Sequence, residues 1–538
     1  MLDDGSRLYL TTSALALVIF SCYRKYRDKQ SGPPLPPGPM PLPIVGNVLS
    51  LDTAQPWLTF NAWKSTYGDI IYARLLNKPV VVINSEEVAK DLFEARSTIY
   101  SDRPQSIVYP HFASDFNPVL MPYGDRWRLH RRIFHQAFRQ TEITTYHAVQ
   151  LRSAHKMLFS VLQDPSDYSR HFEMFSVSFI LPMIYDYEPK AKDDPIAYNM
   201  KRYLNRTNTA LTPGVTVILE TFPFLLKLPS WFPGATFKRA SLECLKAGHD
   251  IKEIPFQMVE ERMSTGITMS CFVADTLSKT KLFAEDDAVI ITAVKEAASM
   301  TFAAGFETTT STLLVFILAM VLNPEVQAKA QAEIDRIVGK DRLPDFNDRP
   351  SLPYVDAILR ETFRWHPVVP FGLFHRHPYY LPLITYLGVP RTTTTSDIYK
   401  GYFIPEGVVL FANTWAMTHD ETKYPSPDEF KPERFLHDDG SLTSDTMPLG
   451  FGWGRRICVG RYVVDASLWI AITSFLAMFS VHNALDEHGI DIPVVPKFTT
   501  GLIVHPEKFP CRIVPRFPDA SVKTLTHLTG LGSCVDIA

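Results

Sequence analysis

The stretch FGWGRRICVG, residues 451–460, places Cys458 in a loop with three glycines and two arginines. A cysteine acts as a nucleophile or a metal ligand in its thiolate form, which neighbouring cations and free backbone N–H groups stabilise. A cysteine in an apolar core needs neither feature. A glycine-rich turn that carries a structural cysteine would have the same pattern, so the rest of the chain must decide between the two interpretations.

The glycines and arginines of this stretch both suit a flat, anionic ligand beside the sulfur. Gly452, Gly454 and Gly460 are expected to adopt backbone conformations closed to other residues and to let the chain approach that ligand closely. Arg455 and Arg456 are fixed cations that can pair with carboxylates. A cofactor with carboxylates and a metal ion would satisfy the whole loop.

The composition argues against a nucleic-acid partner. The 538 residues carry a formal net charge of −3, whereas a nucleic-acid-binding domain is expected to be basic. Hydrophobic residues make up 46 % of the chain, and its 35 phenylalanines allow a large apolar core. The six cysteines form no C-x-x-C pair, which argues against zinc fingers, iron–sulfur clusters and dithiol redox sites and is typical of a reducing compartment.

The N-terminus predicts a membrane anchor. Residues 8–23 are sixteen residues without a charge, and the basic run RKYRDK follows them. The positive-inside rule places residues 1–7 as a lumenal tip and the body in the cytosol, on a single-pass anchor in the endoplasmic reticulum membrane. Because a usual span has ~20 residues, a monotopic or re-entrant anchor stays open. Residues 24–43 are interpreted as a basic and proline-rich hinge, whose PPLPPGP stretch is a stiff spacer that cannot be helical.

One large domain is expected over residues 44–518, followed by a tail, 519–538, since no second linker or repeat interrupts the body. The β-branched runs on either side of NKP predict a hairpin over 70–85. The pattern after the hairpin is mostly helical. The longest helix is predicted from about Asp286 to Leu322, with acidic residues at its start and Asn-Pro after its end.

The middle of that helix has an unusual composition. AGFETTTST, residues 304–312, combines a glycine, an acid and a run of Thr and Ser, all poor helix formers. A conflict of this kind between local propensity and global pattern is expected at functional sites. A threonine-rich helix face packed on its neighbours is the alternative interpretation.

Two further pairs of residues have helical spacing. Glu361 and Arg364 are three positions apart on a helix that ends before Pro367, so they share a face and can pair. Trp127 and Arg131 are four positions apart and also share a face. An ion pair of this kind on the surface would contribute little to stability.

Together these residues resemble the cytochrome P-450 superfamily of haem-thiolate monooxygenases. Residues 451–460 match the family signature F-G-x-G-x-R-x-C-x-G at every fixed position. Four further family motifs follow the family's order and are matched by WRLHR (127–131), AGFETT (304–309), ETFR (361–364) and PERF (432–435). The resemblance extends from the anchor to about residue 515. It implies a mainly α fold with small β-sheets and a monooxygenase that binds haem b.

The resemblance also implies how the cofactor is held. Cys458 would be the axial thiolate ligand of the haem iron. The haem carboxylates would be bound by Arg456, Trp127, Arg131 and Arg391.

The same resemblance implies catalytic and structural roles for other residues. Glu307 and Thr308, the implied catalytic residues, would lie at a widened turn of the long helix and control protons during dioxygen activation. A buried ion network near the haem would consist of Glu361, Arg364 and Arg434, and would be structural.

Electrons are expected from a second protein, because the sequence has neither a P-loop nor a strand–G-x-G-x-x-G–helix unit for a flavin or nicotinamide. The resemblance and the anchor imply a membrane-bound NADPH–cytochrome reductase. Its docking face would include Arg126, Arg128, Arg132 and Arg461.

Several stretches resemble fungal, especially basidiomycete, members of the family, among them PSWFPGATFKR and FANTWAMTHD. Those members oxidise lipophilic secondary metabolites, namely terpenoids, polyketides or indole amines. A terpenoid is the preferred substrate class.

Residues 373–388, LFHRHPYYLPLITYLG, depart from the family pattern. Without them the chain reads PFGVPRTTTTSDIYKGY, which resembles the family. The segment is apolar and aromatic and lacks the turn residues of a surface loop. A translated unspliced intron is the preferred explanation, and a lineage-specific loop is the alternative. A genuine loop would threaten to displace Arg391 from the haem carboxylates.

Three functions are open at this point. An active monooxygenase is favoured by the intact pair Glu307 and Thr308. A haem-binding but catalytically impaired relative is the alternative if the insert is real. A relative that rearranges peroxides without a reductase is disfavoured, because such family members often lack the acid–threonine pair.

Overall fold

The computed structural model describes residues 32–43, 45–52, 54–76, 78–211, 213–267, 270–371, 389–446, 448–517 and 521–529. The expected lumenal tip, the membrane anchor, the basic part of the hinge and the suspected insert 373–388 lie outside these residues. Most of the described chain is helical. Its helices are α1 (Pro56–Tyr67), α2 (Glu86–Lys90), α3 (Asp125–Phe138), α4 (His147–Gln163), α5 (Tyr168–Tyr185), α6 (Pro195–Ala210), α7 (Pro213–Thr221), α8 (Thr236–Ser264), α9 (Phe272–Leu277), α10 (Asp287–Leu322), α11 (Pro324–Ile337), α12 (Pro353–Trp365), α13 (Thr414–Thr418), α14 (Arg461–Met478) and α15 (Val522–Thr529).

The strands of the described chain form three small sheets. Their bounds are β1 (Ile70–Leu75), β2 (Lys78–Ile83), β3 (Arg391–Thr392), β4 (Asp397–Tyr399), β5 (Tyr402–Ile404), β6 (Val409–Ala412), β7 (Phe479–Leu485), β8 (Asp491–Ile492) and β9 (Cys511–Pro515). The largest sheet has the order β1–β2–β6–β3, with β6 parallel to β2 and β3 antiparallel to β6. The antiparallel pair β1 and β2 is the hairpin predicted over 70–85. The expected mainly α fold with small β-sheets is confirmed.

Helix α10 lies at the centre of the core. Helix α5 packs along it, α4 packs on α5, and α14 packs on α4. Every residue of α10 from Leu313 to Met320 is buried. Because this stretch is apolar on all sides, it is stable only inside the protein. Gly305 lets α5 come close, since a Cβ there would lie 2.8 Å from the Ile180 side chain.

The predicted long helix is confirmed with the bounds Asp287–Leu322. The widened turn expected at its threonines is wrong, because α10 is α-helical without interruption. The threonine hydroxyls donate to carbonyls one turn earlier, Thr308 to Ala304 at 2.7 Å and Thr310 to Phe306 at 2.8 Å. These bonds satisfy the hydroxyls within the helix, so the polar run is compatible with regular helical geometry.

Two helices of the described chain, α10 and α14, are long and apolar enough to cross a membrane. Their most apolar stretches have mean hydropathies of 1.7 and 1.3, and 78 % of each stretch is buried inside the protein. Their apolar residues therefore stabilise the core. The membrane anchor stays a prediction about residues 8–23.

The proline-rich stretch PPLPPGP is not helical, as its composition predicts, but it is docked on the body. The Pro37 carbonyl accepts the Tyr72 N–H of β1 at 2.8 Å, and the Pro34 carbonyl accepts the Phe403 N–H of β5 at 2.7 Å. A Cβ at Gly38 would lie 1.8 Å from the Tyr72 carbonyl oxygen, so only glycine allows this approach. The hinge from Pro34 onward is therefore part of the folded body rather than a free spacer.

The expected C-terminal tail is also partly folded. Helix α15 packs on α4, and its Leu525 is fully buried. The described part of the tail, residues 521–529, thus belongs to the body as well.

Candidate active site

The Cys458 loop, residues 451–460, needs glycine at two of the three expected positions. Gly452 and Gly454 have φ values of +76° and +54°, in the left-handed region that favours glycine. A Cβ at Gly454 would lie 2.1 Å from the Phe93 carbonyl oxygen, so the loop packs directly on that backbone. Gly460 has a φ of −84°, which any residue adopts, and the expected conformational role of this glycine is wrong.

Cys458 lies just before α14, and its backbone N–H donates to the Phe451 carbonyl at 2.8 Å. The side chain is exposed although protein surrounds it on all sides, so the sulfur faces an internal space. Burial raises the pKa of the Cys458 thiol. The Gly460 backbone N–H and the Arg131 guanidinium oppose this shift, because both favour the thiolate.

Helix α10 also borders an internal space, at its polar centre. Ala304 is exposed and Thr308, one turn later, is half-buried, whereas Phe306 between them is buried. Burial raises the pKa of the neighbouring Glu307 carboxyl, which makes no hydrogen bond or ion pair within the described chain. No hydrogen bond joins Glu307 or Thr308 to the described residues of the Cys458 loop.

Arg456 and Trp127, both expected at a cofactor site, lie together. The guanidinium carbon of Arg456 is 4.3 Å from the centre of the Trp127 ring. Arg456 Nε donates to the Ser101 carbonyl at 2.8 Å, and its Nη2 donates to the Met121 carbonyl at 2.9 Å. Arg456 therefore ties the Cys458 loop to a second loop, residues 101–121, called here the 101–121 loop.

Arg391 contacts the Cys458 loop from strand β3. Its Nη2 donates to the Trp453 carbonyl at 2.5 Å, and its guanidinium carbon lies 4.2 Å from the centre of the Phe93 ring. In the sheet it pairs with Leu410 of β6. Arg391 thus lies against the backbone of the Cys458 loop.

Two more arginines complete the surroundings of the loop. Arg131, on α3, donates through Nη1 to the Ile457 carbonyl at 2.6 Å. Arg103, which the sequence analysis missed, is only 3 % exposed and donates through Nε to the Val119 carbonyl at 2.8 Å. No motif marks Arg103 in the sequence, and its burial is set by tertiary contacts.

These arginines concentrate positive charge without a carboxylate partner. No carboxylate of the described chain bonds the guanidinium of Arg103, Arg131, Arg391 or Arg456. Burial lowers the pKa of Arg103 and Arg391 to about 9 and that of Arg456 to about 8, and repulsion between the guanidiniums adds to the effect. Asp102 accepts backbone N–H groups instead. Burying a cation without a nearby anion costs free energy of folding. An anionic ligand bound at this site would offset that cost.

The donor set fits haem b. Its two propionate carboxylates would supply the missing anions, and guanidinium groups match carboxylates geometrically. The Trp127 indole N–H makes no hydrogen bond within the described chain and offers a further donor. Cys458 would supply the sulfur ligand that haem-thiolate proteins use. Among the residues that the structure describes, no cluster of three His, Cys, Asp or Glu could hold a metal ion without such a cofactor.

The three residues expected in an ion network are bonded to one another. Glu361 and Arg364 are both fully buried, and two bonds of 2.7 and 2.8 Å join the guanidinium to the carboxylate. Arg434 Nε bonds the same carboxylate at 3.1 Å. Arg364 also donates to the carbonyls of Thr418 and Pro427. The contacts attach the chain around 418–434 to helix α12.

The four arginines expected at a docking face differ in their partners. Three of them pair with carboxylates of their own chain, namely Arg126 with Glu296, Arg128 with Asp125 and Arg132 with Glu285. Arg461 instead donates to the Cys458 carbonyl at 3.0 Å. It also lines a surface cavity of about 130 Å³, shared with Arg131, His135, Phe138, Arg139, Gln140, Val459 and Tyr462.

A buried pair that the sequence analysis missed joins α3 to α10. His130 Nε2 lies 3.0 Å from Glu296 Oε2, and Arg126 bonds the other carboxylate oxygen at 2.7 Å. The pair ties the helix of Trp127 to the helix of Thr308. The only sequence signal is that Glu296 is an acid within an apolar stretch of the long helix.

Comparison with known proteins finds, along nearly the whole chain, the family that the sequence motifs resemble. The family model described as "Cytochrome P450" matches residues 36–378 and 380–509. A cytochrome P450 monooxygenase of Armillaria gallica is 35 % identical over 517 residues, which cover 95 % of this chain and 97 % of the relative. Cytochrome P450 monooxygenase 136 of Postia placenta is 34 % identical over 528 residues, 97 % of this chain and 95 % of the relative. Cytochrome P450 monooxygenase claR of Ampulloclitocybe clavipes is 34 % identical over 530 residues, 97 % and 93 % of the two chains.

Arg364→Met should destabilise the protein strongly, because it leaves the Glu361 carboxylate buried without its main partner. Breaking a buried ion pair costs about 3–5 kcal/mol. The free energy of unfolding in urea measures the effect. Arg139→Met, in the exposed pair of Arg139 and Glu142, is the control and should leave the free energy of unfolding nearly unchanged. Equal losses in the two variants would show that the buried network does not stabilise the fold.

Proposed function

The chain belongs to the cytochrome P450 family, and on that premise we propose that it oxidises a lipophilic secondary metabolite, with a terpenoid as the preferred substrate class. Membership itself makes the protein an oxygen-incorporating oxidoreductase that uses haem and electrons from a reductase. The observation that carries the site assignment is the group of three arginines without carboxylate partners at the loop of Cys458: Arg131 and Arg391 bond its carbonyls, and Arg456 belongs to it.

In the proposed site each residue has one task. Cys458 would be the axial ligand of the haem iron, and the haem carboxylates would bind Arg456, Trp127, Arg131 and Arg391. Haem bound through a thiolate supplies reductive dioxygen activation and substrate oxidation. The side chains of this protein orient the cofactor and control access of protons.

Glu307 and Thr308 are proposed to supply those protons. Burial raises the pKa of the Glu307 carboxyl, so it keeps its proton to a higher pH than an exposed carboxyl and can donate it. The Thr308 hydroxyl donates to the Ala304 carbonyl at 2.7 Å. Threonine in a helix populates two rotamers, so this hydroxyl can turn from the carbonyl toward the internal space that Ala304 borders. Glu307, together with water, would then supply a proton to that space, and the Thr308 hydroxyl would direct it.

The location and the electron donor rest on sequence features. Residues 8–23 support a single-pass anchor in the endoplasmic reticulum membrane with the catalytic body in the cytosol. A membrane-bound NADPH–cytochrome reductase is the proposed donor. A substrate dissolved in the same membrane would be lipophilic, and the fungal relatives support a role in fungal metabolism.

The alternative of a catalytically impaired haem protein depended on displacement of Arg391 by residues 373–388. The bond from Arg391 to the Trp453 carbonyl supports an intact site and hence the active enzyme. An active enzyme therefore stays the proposed function.

The reductase is proposed to dock at the surface cavity between α3 and the Cys458 loop. Arg461 lines the cavity and bonds the Cys458 carbonyl, so a partner seated there would lie close to the proposed iron ligand. His135 and Arg139 add basic groups to the rim. An acidic surface on the reductase would complement this charge. The arginines of α3 that pair with their own chain are less available to a partner.

Cys458→His and Cys458→Ser should abolish the ferrous carbon monoxide absorption band typical of haem-thiolate proteins, because neither replacement supplies a thiolate. Cys511→Ser is the control, since Cys511 is a free cysteine in strand β9, and it should keep the band. With reductase, NADPH and isotopically labelled dioxygen, the unaltered protein should place one labelled atom in a member of a terpenoid panel. A band that persists in either Cys458 variant would contradict the ligand assignment, and oxidation without label would contradict the proposed function.

Thr308→Ala should retain haem and substrate binding but lose coupling between NADPH consumption and product. Most of the electrons should appear as hydrogen peroxide, because protons no longer reach the correct oxygen. Thr312→Ala is the matched control, since its hydroxyl also donates to a carbonyl one turn earlier but the side chain is only 3 % exposed. The ratio of product to NADPH measures the effect. Tight coupling in Thr308→Ala would remove this residue from the mechanism.

Arg461→Glu should slow reduction of the haem by the reductase about tenfold, since it reverses charge at the proposed docking cavity. Reduction by dithionite, which needs no docking, should be unchanged and serves as the internal reference. Arg128→Glu, outside the cavity and next to Asp125, should change the enzymatic rate less than about threefold. Rapid-mixing spectroscopy in carbon monoxide measures both rates. A larger effect in Arg128→Glu would place the reductase on the outer face of α3 instead.

A further inference from the structure

His130 is a buried histidine whose two ring nitrogens both face oxygen atoms. Nδ1 lies 2.8 Å from the carbonyl oxygen of Arg126, one turn earlier on α3, and Nε2 lies 3.0 Å from Glu296 Oε2 on α10. A neutral imidazole has a single N–H, so it could bond only one of these oxygens and would turn a lone pair toward the other. An imidazolium donates to both.

The Arg126 guanidinium makes the Glu296 carboxyl group an acceptor at both of its oxygens. Arg126 Nη2 donates to Glu296 Oε1 at 2.7 Å, a contact that favours the carboxylate over the protonated acid. The hydrogen bonds therefore form a closed ring, from the Arg126 carbonyl through the imidazole of His130 and the carboxylate to the Arg126 guanidinium. Because His130 and Glu296 are buried, a missing bond in this ring would cost free energy of folding.

The same ring fixes how α3 is turned about its own axis. Residues four positions apart in a helix share a face, so Arg126 and His130 together point to α10. Trp127 and Arg131 follow one position later and form the adjacent face of the helix. That second face meets the Cys458 loop, to which Arg131 is bonded. A rotation of α3 that broke the contact with α10 would also turn the second face away from the loop.

We propose that His130 is an imidazolium and that its ion pair with Glu296 is a positioning contact, which holds α3 so that Trp127 and Arg131 face the cofactor. The inference rests on the proposed function of Trp127 and Arg131 in haem binding. His130 acts through the orientation of α3 and not by contact with the cofactor. A neutral histidine at this position would leave the rotation of α3 to apolar packing alone.

NMR of isotopically labelled histidine nitrogens tests the charge of His130 directly. The full-length holoprotein is measured in its diamagnetic ferrous carbon monoxide form at a pH of about 8, above the ordinary histidine pKa of about 6.5. The signals of His130 are those that disappear in His130→Gln. They should show two protonated ring nitrogens in the unaltered protein. In Glu296→Gln they should show the neutral ring, because the amide removes the negative charge that stabilises the imidazolium.

The rate of haem release to excess apomyoglobin tests the positioning role. His130→Gln and Glu296→Gln should each speed release about tenfold, and the double variant should stay within about threefold of Glu296→Gln, since the pair is lost only once. Glu296→Gln keeps the size of the side chain and one acceptor oxygen. Its effect therefore reports the loss of the ion pair rather than the loss of a hydrogen bond.

Gln327→Met is the matched control for a buried polar contact between two elements. The Gln327 amide bonds the N–H and the carbonyl of Val481, and so joins α11 to β7. Neither element carries a proposed site residue. The substitution should lower the free energy of unfolding but change haem release by less than about threefold, because it leaves the orientation of α3 unaltered.

Three results would overturn the proposal. A neutral His130 in the unaltered protein would contradict the ion pair, and unchanged haem release in both single variants would contradict the positioning role. Release that is equally fast in Gln327→Met would show a general loss of stability instead. If His130→Gln yields no folded protein, Glu296→Gln carries both measurements. Failure of the proposed function would be distinct, because the unaltered holoprotein would then lack the haem-thiolate carbon monoxide band.

Discussion

Positive charge without a carboxylate partner beside Cys458 is the constraint on which the rest of the structure depends. Arg131, Arg391 and Arg456 lie at its loop and Arg103 lies close to Arg456, and within the described chain their bonds go to backbone carbonyls. Taking a guanidinium out of water costs several kcal/mol unless another charge compensates it. An anionic ligand would remove that cost in the folded protein only. Binding of such a ligand therefore stabilises the fold as well as the site.

The same arginines assemble three segments that are distant in sequence. Arg456 joins the Cys458 loop to the 101–121 loop. Arg391 joins the Cys458 loop to strand β3. Arg103 joins the 101–121 loop to the residues before β3. Each segment is thus held to both of the others. Arg131 adds helix α3 to this arrangement, and the contact of His130 with Glu296 extends it to α10. The position of the sulfur is set by the whole arrangement and not by its loop alone.

Local spacing explains which features were predictable from the sequence. The hairpin, the long helix and the pair of Glu361 and Arg364 depend on residues within one element, and periodicity or capping reveals them. Contacts between elements leave no such pattern. Arg103 belongs to no motif. Two of the four arginines expected at a docking face, Arg126 and Arg132, pair with carboxylates brought near by folding. Composition also led to a wrong prediction, that of a widened turn at the threonines of helix α10. The threonines of α10 satisfy their hydroxyls within the helix, so no widened turn is needed.

The choice of partner distinguishes two kinds of buried arginine in this protein. Arg364 and Arg434 share the Glu361 carboxylate, which offsets one of their two positive charges. The arginines at the Cys458 loop bond carbonyls, whose dipoles stabilise a cation without neutralising it. A carboxylate there would compete with the propionates of haem for the same guanidinium groups. Asp102 illustrates the point, since its carboxylate lies near Arg103 and Arg456 but accepts the backbone N–H groups of Arg103 and Tyr123 and bonds neither guanidinium. Carbonyl partners therefore hold the cations in place and keep their charge for the cofactor.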